Sequence, residues 1–162
     1  MSHTGMQPGA ALLSRIPDES VCSTLLAQVP PQVAAHSRAV QRLALEMCDA
    51  LAAHGVRLNR ALLSAAALLH DICRAEPNHA FAGAQKLRDL GYPEIADIVA
   101  VHHDWSGGPF DESTLLYLAD KYMQGDQRVT LEERFERSRA KCHTEQALCA
   151  HDRRYRLALE AQ

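Results

Sequence analysis

Aromatic side chains make up only 5% of this chain although 47% of its residues are hydrophobic. Most of the apolar content is alanine and leucine, which favours packed helices over sheets. No segment alternates apolar and polar residues as a half-buried strand does, and neither an internal repeat nor a low-complexity stretch is present. No stretch approaches ~20 uninterrupted apolar residues, and the N-terminus has no apolar signal core, so neither a membrane span nor a cleaved secretion signal is expected. A formal net charge of -3, with acidic and basic residues intermixed, lacks the basic stripe of a protein that grips long nucleic acid. The five cysteines (Cys22, Cys48, Cys73, Cys142, Cys149) are odd in number and form no CxxC pair, which disfavours disulfides and a structural zinc site. These absences lead to the expectation of a cytoplasmic, all-α protein without membrane or nucleic-acid partners.

What the chain does contain is helical punctuation. At 162 residues it suits one domain with a sizeable core. Residues 1–17 hold Gly5, Pro8, Gly9 and Pro17 and read as a tail that docks through Leu12, Leu13 and Ile16, with His3 solvated. Asp18 is positioned to cap a short helix to about Gln28, and Pro31 opens a longer one to His54. Asn59 caps a third helix predicted to run to Arg74, and this one is apolar on every side from Ala61 to Leu69. Asn78 and Gly91 bracket a helix from His79 to Leu90, and Pro93 opens the next. The loop WSGGPF at Trp105 precedes a helix from Asp111 to Met123. Thr130 and Glu133 match a capping box for C-terminal helices that break near His143 and Thr144. Their alternating charges around Leu131, Phe135, Leu148, Tyr155 and Leu159 predict a solvated cover over the core.

The buried third helix ends in His70 and Asp71, and a carboxylate taken into a core costs several kcal/mol unless a cation, metal or set of donors meets it. Candidate partners sit on four other predicted helices. His36 lies three after Val33 and four before Val40, on an apolar face. His102 lies seven after Ile95 on another, with His103 about 100° round as the alternative. Asp120 shares a face with Leu116 and Met123, and His79 stands in the first turn of its helix. A lone inward histidine is ordinarily a hydrogen-bonded core residue, but this ordered set is hard to explain as separate core accidents. Imidazoles and carboxylates together suit Fe, Mn, Co, Ni or Zn, and the lack of a thiolate argues against a closed structural zinc.

The motifs HSRAV at His36, LLHDICR at His70, VHHD at His102 and LADKY at Asp120 resemble the HD-domain superfamily of metal-dependent phosphohydrolases over roughly Pro31 to Met123. The resemblance implies a single-domain, all-α HD-type helical bundle of roughly six to eight helices. Residues 1–17 would be the N-terminal tail, 18–130 the metal-binding core and 131–162 C-terminal helices packed on it. The additional His79 and His102 are similar to the two-metal branch that includes symmetrical diadenosine-tetraphosphate hydrolases. That branch implies Asp71 bridging two ions, the first held by His36, His70 and Asp120 and the second by His79 and His102. Fe or Mn is favoured for the one or two divalent ions, with Co, Ni, Zn and Mg also compatible. HHDWSGGPF is similar to the start of a cyclic-di-GMP phosphodiesterase signature but lacks its Gly-Tyr-Pro, which argues against that substrate.

The implied activity is hydrolysis of a phosphate ester or anhydride by metal-activated hydroxide, with Asp71 and His70 catalytic. The substrate would be a small phosphorylated metabolite or nucleotide, and a homo-oligomer is compatible with the pattern. Arg74, four after His70, is the first candidate for substrate contact, followed by Lys86, seven after His79, and Lys121, which helix geometry turns about 100° from Asp120. Two other readings use the same ligands: a di-iron oxygenase and a non-catalytic metal- or nucleotide-sensing module.

Overall fold

A computed structural model describes residues 15–162, so the expectations for His3, Leu12 and Leu13 lie outside the described residues. Eight helices follow one another: α1 (Glu19–Leu26), α2 (Pro31–Ala53), α3 (Arg60–Leu69), α4 (His79–Asp89), α5 (Pro93–Val101), α6 (Glu112–Lys121), α7 (Leu131–Arg139) and α8 (Glu145–Ala161). The all-α expectation holds. Side chains fix the helix starts by accepting orphan backbone N–H groups: Asp18 from Val21, Asn59 from Leu62, Asp111 from Thr114, Thr130 from Glu133 and Thr144 from Ala147.

Helix α3 packs against α1, α2, α5 and α6. Leu63, Ala66, Ala67 and Leu69 are fully buried, and the small Ala65–Ala67 run lets neighbours approach closely. Each buried leucine contributes about 1.5–3 kcal/mol relative to exposure. The α3 helix stops at Leu69, earlier than the predicted Arg74, and His70 to Ala75 form successive turns. The cause is local. The Ala67 carbonyl, which would accept the Asp71 N–H in a continuing helix, accepts His70 Nδ1–H at 2.7 Å, and the following backbone bonds tighten to Ile72 N–Leu69 O and Arg74 N–Asp71 O.

One feature was not expected from the sequence. Between α6 and α7 a small antiparallel hairpin pairs β1 (Met123–Gln124) with β2 (Gln127–Arg128), in the register Met123 to Arg128. Gly125 turns it with φ +59°, in the left-handed region that glycine enters without strain. Two-residue strands carry too few positions for period-two alternation to show.

Helices α7 and α8 join α6 through a second apolar cluster of Tyr117, Leu118, Leu131, Phe135, Ala158 and Ala161. Phe135 stacks on Tyr155, and the Tyr117 hydroxyl donates to the Arg154 carbonyl at 2.7 Å. His151 Nε2 lies 2.8 Å from both the Phe135 carbonyl and Ser138 Oγ, so this histidine ties α7 to α8. Among the described residues, no helix is long and apolar enough to cross a membrane.

Candidate metal centre

Five segments converge on one point. His36 comes from α2, His70 and Asp71 from the turns after α3, His79 from the first position of α4, His102 from the residue after α5 and Asp120 from α6. His70 is 0% exposed, His102 1%, Asp120 6% and Asp71 7%.

Three of the four histidines are held alike. The Nδ1 atoms of His36, His70 and His102 lie 2.6, 2.7 and 2.6 Å from the backbone carbonyls of Gly125, Ala67 and Val99. A carbonyl only accepts, so each Nδ1 carries a hydrogen and each ring turns Nε2 to the centre; His36 Nε2 stands 3.0 Å from Asp120 Oδ1, which also only accepts, so a proton or a cation is needed between them. His70 Nε2 is buried with no hydrogen-bond partner, and its 3.7 Å separation from Asp120 Oδ1 is too long for one. An orphaned lone pair at this depth is costly unless something electrophilic meets it.

The carboxylates complete the arrangement. Asp71 Oδ2 lies 3.8 Å from His36 Nε2 and 3.6 Å from His70 Nε2, whereas Oδ1 lies 3.4 Å from both His79 Nε2 and His102 Nε2. Asp120 Oδ1 lies 3.0 Å from His36 Nε2. Two ligand atoms each about 2.1 Å from one ion at tetrahedral or octahedral angles are about 3.0–3.4 Å apart, so this donor set fits ions with little movement. Two groups are close enough to hold one: His36 with His70 and Asp71, and Asp71 with His79 and His102.

Electrostatics keep the carboxylates ionised. Burial works against the charge of Asp71, but the His70 and His102 imidazoles outweigh it and hold the carboxyl below its usual range. Asp120 is buried too, and Lys121, His36 and His70 together hold it well below that range. Burial opposes the charged form of His70, yet Asp71 and Asp120 raise its pKa above the ordinary value, so a proton and a metal would compete for Nε2.

His103 lines the cavity without joining the donor clusters. Burial, Lys121 and Arg154 push its pKa down to about 3, leaving it neutral. Between the two adjacent histidines, the geometry therefore favours His102 as the donor. Asp104 is engaged elsewhere, accepting from Arg154 at 2.7 and 3.3 Å.

The centre forms the floor of a cavity of about 280 Å³. Of the substrate-contact candidates, Arg74 lines it, with its guanidinium 3.4 Å from His79 Nδ1. Lys86 and Lys121 do not. Lys86 stands two turns along α4 from His79, about 10 Å of helix rise, and its charge bears on the Cys73 thiol. Lys121 is 3% exposed, with Nζ 3.0 Å from Asp120 Oδ2 and 5.1 Å from the Tyr117 ring centroid. Its backbone direction does point away from Asp120, but the long flexible stem brings the ammonium back. Lys121 thus steadies Asp120 and turns Oδ1 to the histidines.

Sequence reasoning missed Gln32, Gln124, Arg134 and Lys141, which also line the cavity. Arg134 lies three after Leu131 and one before Phe135, the two residues of α7 that are buried, and that spacing was the available signal. The reading of α7 as a wholly solvated cover is corrected here: its edge forms a wall of the cavity.

Comparison with known proteins agrees with this geometry. The HD domain family profile matches residues 33–149. An uncharacterized protein of Methanocaldococcus jannaschii is 32% identical over 120 residues, which is 72% of this chain and 69% of the relative. No solved structure matches the chain. The chain belongs to the HD-domain family.

Proposed function

We propose that this protein is a two-metal phosphohydrolase that cleaves a phosphate ester or anhydride of a small, nucleotide-like metabolite, in the manner of the two-metal branch of the superfamily. The observation that carries the reading is the split environment of Asp71, with two histidines within 3.8 Å of one carboxylate oxygen and two within 3.4 Å of the other. On this reading one ion would be held by His36, His70, Asp71 and Asp120 and a second by Asp71, His79 and His102, with Asp71 common to both. Fe or Mn suits these imidazole and carboxylate donors.

Divalent ions bound here supply Lewis acidity and activate water at neutral pH. The chain's own groups do the rest. Carbonyl-anchored imidazoles hold their Nε2 lone pairs in place before binding, so little reorganisation is needed. Lys121 keeps Asp120 ionised and oriented. Arg74, at the cavity wall and exposed, is positioned to donate to phosphoryl oxygens.

The test combines elemental analysis with a screen of phosphomonoesters, phosphodiesters and phosphoanhydrides. Wild type should carry between one and two transition-metal ions and release phosphate from at least one class, and Asp71→Ala should lose both properties. Iron content with oxygen consumption and no phosphate release would instead identify an oxygenase.

A further inference from the structure

The proposed centre and Arg74 account for the floor of the cavity but not for two further cations in its wall. Three basic side chains line it, Arg74, Arg134 and Lys141, against the carboxylates Asp71 and Asp120. Those carboxylates are already committed to histidines, to Lys121 and to Arg74, whose Nε lies 3.8 Å from Asp71 Oδ2, and every divalent ion added moves the cavity further towards positive charge. Such a cavity is suited to a ligand with more charge than one phosphoryl group carries.

Arg134 is the informative member. It is half-buried on α7, its Nε is buried without a hydrogen-bond partner, and no ion pair to it occurs among the described residues. The neighbouring Glu133 is occupied in the cap of α7, accepting from Thr130 N at 2.8 Å. Lys141, just beyond α7, also has no ion pair among the described residues. A guanidinium in a cavity wall, with its inner Nε buried and no ion pair among the described residues, has its terminal N–H groups to offer a phosphate.

We infer that Arg134 and Lys141 form a second anion subsite facing the metal centre, so that the substrate carries two phosphate groups, one at the metals and one on α7. Two cations match the charge of a phosphate better than that of a carboxylate. The cavity of about 280 Å³ lies at the small end of ligand sites, at about 300 Å³ and upward, which favours a compact bisphosphate or phosphoanhydride. This inference rests on the hydrolase reading for the first phosphate but on α7 alone for the second.

Calorimetry on the full chain tests it, with inorganic phosphate, pyrophosphate and phosphonoacetate as probes, each titrated into metal-loaded and chelator-treated protein. Wild type should bind pyrophosphate at least about 10-fold more tightly than phosphate or phosphonoacetate, the scale of one charge-assisted hydrogen bond. Arg134→Gln and Lys141→Gln should each erode that preference while metal content and phosphate affinity stay within about twofold. In metal-loaded protein, equal weakening of phosphate and pyrophosphate, or an undiminished preference in both variants, would overturn the second subsite. Phosphonoacetate binding as tightly as pyrophosphate would overturn its assignment to phosphate. The chelated arm separates the two ideas. Binding of phosphate or pyrophosphate there that Arg134→Gln weakens supports the subsite even if wild type proves to hold no metal, an outcome that sinks only the hydrolase reading, whereas binding unchanged by both variants there overturns the subsite.

Discussion

The two sides of Asp71 are built differently. On the Oδ2 side both His36 and His70 have Nδ1 fixed on a backbone carbonyl, and Asp120 stands 3.0 Å from His36. On the Oδ1 side His102 is fixed in the same way, but His79 Nδ1 faces the Arg74 guanidinium at 3.4 Å. Arginine only donates, so in this arrangement the hydrogen of a neutral His79 sits on Nε2, the atom aimed at Asp71. The first side is fixed by carbonyls and by Asp120, and leaves His70 Nε2 without a partner, whereas the second needs Arg74 to swing away, which its exposed position permits. If two ions bind as proposed, the difference teaches that one position would be formed by the fold and the other would be conditional on an exposed side chain, and it makes stepwise metal binding the expectation.

Removing ligands one side at a time should break this comparison most visibly. His70→Ala should cost the tighter ion more than the roughly 100-fold controlled by outer partners, whereas His79→Ala should cost only the weaker one. Metal retained after dialysis against graded chelator measures both. Equal losses in the two variants would mean that the sides are equivalent.

A smaller effect sharpens it. Arg74→Gln removes the guanidinium facing His79 Nδ1, so the weaker ion should bind about 10-fold more tightly while the tighter one is unchanged. Isothermal titration with Mn after chelation resolves the two steps. A weaker second step in this variant would show that Arg74 supports His79.

The contrast also marks what was legible in the sequence. His36, His102 and Asp120 were visible at helical spacing from apolar residues and His70 and Asp71 at the end of an apolar run, because burial imposes a period, whereas His79 was visible only as a first-turn histidine that the family resemblance added. The anchoring of those side chains was not. Gly125 O, Ala67 O and Val99 O are backbone atoms that any residue supplies, and the first sits on a hairpin too short to leave a pattern. The end of α3 at Leu69 follows from the His70 ring taking a carbonyl, a choice that propensity does not register. Lys121 and Arg134 were obscured for opposite reasons. The Lys121 stem doubles back across its own helix face, while Arg134 sits in a run of charges that resembles an exposed surface. The first depends on a side-chain conformation that brings Lys121 back to its sequence neighbour Asp120, and the second on a cavity wall that exists only once the chain has folded.

The shared carboxylate is the centre of this reading, and electron paramagnetic resonance of protein loaded with two equivalents of Mn tests it most directly. If Asp71 bridges two ions, wild type shows an exchange-coupled dimanganese spectrum that reverts to isolated Mn in His79→Ala. Two equivalents bound to wild type with only the isolated, uncoupled signal would contradict it.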